Sequence, residues 1–221
     1  SSENYERRFI MTFPNETLPK GRKQKTTALY DRFVSKGAVM GDSFGLESVL
    51  WFANDPKDAY EEPTIKRSRS HDYVSKEVKN VRENVGVTEI ANFSKHEFQG
   101  PDARKFLDYV LAGRIPKPGR ICLNPMLTPK GKLYGDLTVA CLNDNKFIVF
   151  GSGAVQEMHR RWFESHLKDF DIVYKNRSDD FHGLALSGPK SRDLLQKLVR
   201  ENISNENFKF RDVREMYVAG V

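Results

Sequence analysis

The chain has 221 residues, of which 38% are hydrophobic and 30% are charged, so it can build one large domain or two small ones. The net charge of +6 is spread along the sequence, with only two short basic runs at 21–25 and 66–70. This diffuse charge argues against a role in binding nucleic acid. No apolar run approaches the roughly 18 residues that a membrane span needs, so we expect a soluble protein without a membrane segment.

The cysteines and histidines point away from a metal site. Two cysteines, Cys122 and Cys141, cannot form a disulfide framework or a zinc site of paired thiolates, and free, buried thiols in a reducing compartment are expected. The five histidines lack metal-binding spacing. His159 and His166 lie seven residues apart on one predicted helix face, and their polar neighbours suggest exposure to solvent. We therefore predict no metal site.

The first third of the chain contains two predicted helices and a linker. Residues 26–37 have a helical pattern that Gly37 would close. Residues 37–55 are punctuated by glycine and rich in aromatic residues. Residues 56–70 are polar and contain two prolines, which is typical of a loop or linker. Residues 72–86 place valines at helical spacing, and Gly86 would end that helix.

The middle third is predicted to be an antiparallel meander. Its three strands, separated by turn sequences, are residues 121–127, 132–142 and 146–153. A helix over residues 154–167 follows, with Ser152 as its N-cap. The FGSG sequence before this helix resembles a phosphate-binding turn only weakly, and helix capping explains it better.

Two segments resemble each other. Residues 96–110 and 184–199 each combine a strand, a Gly-Pro pair and a helix with an arginine four residues after the glycine. We expect two related strand–turn–helix units, although a Gly-Pro pair before a helix can also arise by chance.

Asp136 is the residue that most needs an explanation. In the strand KLYGDLTVACL, the apolar residues Leu137 and Val139 share one parity, so Asp136 projects from the opposite face. Aspartate is disfavoured in strands, which suggests that its carboxylate holds an amine or cationic ligand. A solvated outer face is the simpler alternative. From these residues alone, the chain is an α+β protein with one unusual strand aspartate.

Several segments together resemble one family. They are YDRFVSKGAVMGDSFGLESVLWFA, the run from VRENVG through GKLYGDLTV, FHGLALSGPKSRDLLQKLV and FKFRDVREMYVAG. These are similar to the folate-binding domain of the aminomethyltransferase (glycine-cleavage T-protein) family, as found in dimethylglycine and sarcosine dehydrogenases. The likeness extends from about residue 8 to residue 221.

The resemblance implies an α+β fold of related subdomains, with antiparallel sheets and flanking helices, around a central channel that holds tetrahydrofolate. Asp136 would face N5 of the pterin, orient that amine and manage its proton. The other positions that match the family's cofactor-binding residues are Phe93, Leu123 and Thr138 in the pocket lining and Gly151 and Ser152 in the turn beside it.

The resemblance also implies domain organisation. Residues 1–70 would join a flavin domain, which carries FAD and is absent from this chain, to a folate domain whose N-terminal part is residues 71–221. The family's next strand, with a glutamate that grips the pterin, would follow Val221, so we expect the fold to be incomplete at its C-terminus. Glu89 and Ala91 depart from the family, which more often has Asp and Ser or Thr there.

The implied function is capture of a methyl group, oxidised from dimethylglycine or sarcosine, as 5,10-methylenetetrahydrofolate. The expected partners are folate, a small methylated amine and the flavin domain of the same polypeptide, in a bacterial cytoplasm or the mitochondrial matrix. A non-catalytic regulatory or scaffold relative is one alternative, which the presence of Asp136 disfavours and the expected incompleteness at the C-terminus favours. A stand-alone aminomethyltransferase is another, and the joining segment 27–53 argues against it.

Overall fold

The computed structural model of the chain describes residues 2–13 and 16–221. Residues 1, 14 and 15 of the predicted joining segment lie outside this description. The chain divides into two compact units, one formed by Ser1–Glu89 with Leu184–Lys190 and the other by Ile90–Gly183 with Ser191–Val221. The boundary predicted at residue 70 stays a prediction.

In its described residues, the first unit contains three α-helices, a short 3-10 helix at Pro56–Asp58 and two small antiparallel sheets. In order, its elements are α1 (Ser2–Glu6), α2 (Tyr30–Ser35), β1 (Ala38–Ser43), β2 (Leu46–Phe52), α3 (Ser70–Glu83), β3 (Gly86–Glu89) and β9 (Leu184–Ser187). β1 pairs with β2, and β3 pairs with β9.

The predicted end of the first helix is confirmed at Gly37. This glycine has a φ of +87°, and a Cβ on it would lie 2.3 Å from the Ala53 carbonyl oxygen. Both conditions favour glycine, and the chain turns there into the β1–β2 hairpin. Val39, Trp51 and Ala53 form a small buried cluster on this hairpin.

The second predicted helix is also observed, as α3. It ends before Gly86, which instead begins β3. Its valines do not build a core: Val74 and Val78 are 36% and 47% exposed.

The second unit contains a five-stranded antiparallel sheet with helices on one face. Its elements are β4 (Phe93–Gln99), α4 (Ala103–Val110), β5 (Arg120–Leu127), β6 (Leu133–Asn143), β7 (Lys146–Ser152), α5 (Gln156–His166), β8 (Val173–Asn176) and α6 (Ser191–Gln196). The strand order is β5-β6-β7-β4-β8. The predicted meander is confirmed as β5, β6 and β7, and the prediction of an α+β fold with antiparallel sheets and flanking helices is confirmed as well.

The core of this unit lies on one face of the sheet. Leu137, Val139 and Phe147 project from that face and are fully buried, as are Phe106 of α4 and Phe163 of α5. Burying a side chain of this kind stabilises a fold by about 1.5–3 kcal/mol relative to leaving it exposed. We call this the core face of the sheet and the opposite side the outer face.

Both Gly-Pro segments are strand–turn–helix units, as the internal repeat predicted. Gly100 and Gly188 both have positive φ, at 146° and 117°. In both units the helix begins two residues after the proline, rather than at it. The shared arginines also act alike, because Arg104 donates to the Pro116 carbonyl and Arg192 donates to the Ile203 carbonyl.

The predicted cap of α5 is wrong. A short 3-10 turn over Gly153–Val155 separates β7 from α5, and the Ser152 side chain makes no capping hydrogen bond. The residue before α5 is Val155. Within the described residues, no helix is long and apolar enough to cross a membrane.

Candidate functional site

Asp136 lies in β6 with its side chain on the outer face. Its neighbour Leu137 is fully buried on the core face, whereas Asp136 is exposed. The alternation predicted for this strand is therefore observed. Across residues 2–13 and 16–221, the Asp136 carboxylate has no hydrogen-bond or ion-pair partner, so its oxygens are available to a ligand.

A proline on the neighbouring strand explains how Asp136 is accommodated. Pro125 of β5 pairs with Asp136, and its carbonyl accepts from the Ala112 N–H, away from β6. Proline fits this position because β5 is an edge strand and its missing N–H would also point outwards. The pair therefore makes no ladder hydrogen bonds to each other, a geometry in which opposed side chains lie closest.

The predicted site residues converge on one patch of the outer face. Leu123 pairs with Thr138, which lies two residues from Asp136, and Phe93 pairs with Ser152. With neighbouring strands about 4.8 Å apart, the patch extends roughly 14 Å from β5 to β4. We call it the outer-face patch, and its predicted members are Phe93, Leu123, Asp136, Thr138 and Ser152.

The patch is open to solvent and partly apolar. Leu123 is 78% exposed and Phe93 is 45% exposed, which is unusual for residues of this type in the middle and at the start of strands. Such exposed apolar groups beside an unpartnered carboxylate are features of a binding surface.

Two members of this face were not predicted. Phe150 of β7 pairs with both Thr138 and Lys95, so all three side chains share the outer face. The Lys95 ammonium is buried and donates to the Phe93 carbonyl at 2.7 Å and to the Ala91 carbonyl at 3.2 Å. Lys95 lies two residues after Phe93 in the same strand, so strand alternation from Phe93 would have placed it on the outer face. The turn at 143–145 aligns β7 with β6, and this alignment would have placed Phe150 on the outer face opposite Thr138.

Contrary to the prediction, Gly151 lies not in a turn but inside strand β7, where it pairs with Ser94. It faces the core side, and a Cβ there would lie 3.0 Å from Nδ1 of His159 and 2.8 Å from Cδ2 of Leu137. The prediction that His159 is exposed is also wrong, because only 1% of it is accessible. The ring lies directly behind the outer-face patch.

A second histidine lies beside the first. His96 of β4 is fully buried, its ring centroid is 6.3 Å from that of His159, and its Nδ1 is 2.8 Å from the Tyr174 hydroxyl. Burial, assisted by His159, lowers the pKa of His96 to about 4, and burial raises the pKa of Tyr174. We therefore assign a neutral His96 whose Nδ1 accepts a hydrogen bond from the Tyr174 hydroxyl.

The pKa of His159 is also lowered, with burial as the largest cause. The Tyr134 backbone and the negative charge of Asp136 oppose this lowering. The Tyr134 backbone lies close enough to stabilise the protonated form of the ring. However, neither ring nitrogen of His159 has hydrogen-bonding geometry with a described residue. His159 is thus a neutral ring, and the negative charge of Asp136 on the other face of the sheet acts to raise its pKa.

Other groups do not form a comparable site. Cys122 and Cys141 are free thiols, as predicted; Cys141 is buried and Cys122 partly so, and burial raises the pKa of both. A cavity of about 650 Å³ along α3 and another of about 330 Å³ beside β1 are both lined by residues of the first unit. In the part of the chain that the structure describes, no cluster of three or more His, Cys, Asp or Glu side chains could hold a metal ion.

Comparison with known proteins agrees with this architecture. The human mitochondrial dimethylglycine dehydrogenase is 34% identical over 223 residues, an alignment that covers 99% of this chain and 26% of the relative. The aminomethyltransferase of Thermotoga maritima is 27% identical over 199 residues, covering 89% of this chain and 49% of the relative. The chain thus spans about a quarter of the first relative and about half of the second.

A solved structure has the same fold. The glycine cleavage system aminomethyltransferase T from Bartonella henselae superposes with a TM-score of 0.68 at 20% identity, over 87% of this chain and 48% of that structure. Residues 29–221 match the GCVT N-terminal domain. The chain therefore belongs to the aminomethyltransferase (glycine-cleavage T-protein) family, through its GCVT N-terminal domain.

Proposed function

We propose that the outer-face patch binds tetrahydrofolate, as part of a flavin-dependent dehydrogenase of N-methylated glycine. The observation that carries the proposal is the unpartnered Asp136 carboxylate within a partly apolar, solvent-open sheet face. A flat heterocycle with a polar edge requires such a surface: apolar and aromatic contacts with a few placed polar groups. The apolar and aromatic contacts would come from Leu123, Phe93 and Phe150. The polar groups would come from Asp136, Thr138 and Ser152.

Bound tetrahydrofolate would supply the nitrogen that accepts a one-carbon unit, giving 5,10-methylenetetrahydrofolate. Asp136 would orient N5 by a hydrogen bond and accept its proton at a carboxylate oxygen. An ionised carboxylate accepts hydrogen bonds only, so it would select the N–H edge of the heterocycle. FAD, on a separate flavin domain of the same polypeptide, would oxidise the methylated amine.

The similarity to relatives supports dimethylglycine or sarcosine as the amine. The match to the human dimethylglycine dehydrogenase covers 99% of the chain, whereas the match to the aminomethyltransferase covers 89%. The additional similarity favours a dehydrogenase over a stand-alone aminomethyltransferase. The dehydrogenase relatives named mitochondrial support a mitochondrial location, with a bacterial cytoplasm as the alternative for a bacterial protein.

Calorimetric titration of the full-length protein with tetrahydrofolate tests the proposal. The parent should bind saturably, and Leu123→Ala should weaken binding by about tenfold, since it removes apolar contact worth about 1.4 kcal/mol. Val87→Ala is the control because Val87 is 63% exposed on β3, which belongs to a different sheet.

Leu123→Ala should fold like the parent because its side chain is mostly in water already. Absence of saturable binding by the parent would overturn the proposed function. Equal affinities of Leu123→Ala and Val87→Ala would show that tetrahydrofolate does not bind at the outer-face patch.

A further inference from the structure

A group of buried polar side chains lies on the core face, directly behind the outer-face patch. Ser94 and His96 of β4 are fully buried, and His159 of α5 is 1% accessible. Ser94 Oγ, His96 Nε2 and both His159 ring nitrogens lack hydrogen-bond partners among the described residues. Leaving such groups unpaired in a core costs stability, so their presence in an otherwise apolar cluster requires a reason.

The His159 ring fits against two glycines of adjacent strands. A Cβ on Gly135 would lie 2.8 Å from Nε2, and a Cβ on Gly151 would lie 3.0 Å from Nδ1. Only residues without a side chain allow the ring to approach both backbones this closely. Gly135 immediately precedes Asp136, and Gly151 immediately precedes Ser152, so the ring supports the backbone of two patch residues from behind.

We propose that His159 is a positioning residue for Asp136: its ring fixes the Gly135 backbone from the core side and thereby sets the direction of the adjacent carboxylate. This role rests on the proposed function. A planar ring packed against the backbones of two adjacent strands leaves them little freedom to move towards the core. A displacement of about 1 Å at a reacting group can lower a rate by about a hundredfold, so such support has a functional consequence.

The groups around His159 also couple its charge to Asp136. On the core face, His159 lies beside His96 of β4, whose Nδ1 contacts Tyr174, and near the Tyr134 backbone of β6. The charge of Asp136 acts on it from the opposite face of the sheet. Because His96 is neutral, Asp136 is the charged group that acts on His159.

Two variants of the full-length protein test the positioning role. His159→Gln should lower kcat for methylenetetrahydrofolate formation by about tenfold, because Asp136 loses its support. KM for tetrahydrofolate should change by less than about threefold, since the patch itself stays intact. His166→Gln is the matched control, as His166 lies on the same helix and contacts Trp162 instead. It should leave both constants unchanged.

A second measurement needs no ligand and no fold-disrupting change. In Asp136→Asn, an exposed substitution, an NMR titration should show that the pKa of His159 falls below its parental value. Parental kcat in a folded His159→Gln protein, or an unchanged His159 titration in Asp136→Asn, would overturn the positioning role alone. A parent that binds no tetrahydrofolate would overturn the proposed function and this role with it.

Discussion

The imidazole of His159 occupies the space that a side chain at Gly135 would need. Nε2 lies 2.8 Å from the position of a Cβ on that glycine, closer than real Cβ atoms approach other atoms. The ring thus packs on the backbone immediately before Asp136. This packing links a buried helix residue to the carboxylate on the opposite face of the sheet.

Gly135→Ala should destabilise the protein by about 1–3 kcal/mol, because the added methyl overpacks the core against His159 and Met126. Urea denaturation measures the loss as a lower midpoint at unchanged slope. Gly21→Ala is the control, since its Cβ would meet nothing closer than 3.8 Å. If Gly135→Ala were as stable as Gly21→Ala, the close packing of His159 would be contradicted.

The buried His96 should make stability sensitive to mild acid. Unfolded, His96 takes up a proton near pH 6.5, but the folded protein resists protonation until about pH 4. The unfolded state therefore binds more protons between these values, and the free energy of unfolding falls as the pH is lowered through this window. The loss from this one group is about 3 kcal/mol.

Urea denaturation of the parent and of His96→Gln at several pH values measures this effect. The free energy of unfolding of the variant should depend less steeply on pH between pH 6.5 and 4, because the variant lacks the titrating His96. The carboxylates that also titrate in this range are the same in both proteins. Identical slopes in the two proteins would mean that His96 is not held neutral by the fold.

The repeated arginines should stabilise their units through backbone contacts. Arg192 donates to the carbonyls of Ile203 and Phe208, so Arg192→Met leaves two acceptors without their charged donor. We expect a loss of about 1.5–3 kcal/mol, as for other hydrogen bonds to charged groups. The exposed Arg200 provides the control, and Arg200→Met should change stability by no more than about 0.5 kcal/mol. Equal effects would assign Arg192 to an ordinary surface position.

The sequence predicted the sheet that carries the site because its signals are local. The alternation in β6 and the turns at 128–131 and 143–145 determine the three meander strands and place Asp136 on the outer face. The Gly-Pro pairs likewise mark the two strand–turn–helix units. These features depend on residues adjacent in sequence, and tertiary packing does not override them.

The features that were missed depend on packing between distant segments. His159 has Glu157 and Arg160 as neighbours on α5, which suggests exposure, but it lies four residues before Phe163 and shares its buried face. Only the glycines at 135 and 151, on other strands, make room for it. The short strand β8 was missed because four residues of mixed polarity carry too little pattern and require β4 for pairing.

The exposed valines of α3 illustrate the same limit. Val74 and Val78 follow helical periodicity, which correctly predicted the helix, but periodicity does not specify what covers that face. Likewise, Phe93 and Leu123 look like core residues by type, and only the strand register places them on the outer face.

The central claim is that Asp136 directs capture of the one-carbon unit, and product partitioning in Asp136→Asn tests it most directly. Asparagine keeps the size and one acceptor but removes the charge and the base, and loss of a positioned general base costs about 10²–10⁴ in rate. Because Asp136 is exposed, the fold should persist. During turnover of dimethylglycine or sarcosine with tetrahydrofolate, amine consumption should stay near the parental rate while methylenetetrahydrofolate falls and free formaldehyde rises. Parental methylenetetrahydrofolate formation by the variant would contradict the account and leave Asp136 as an ordinary solvated residue of the outer face.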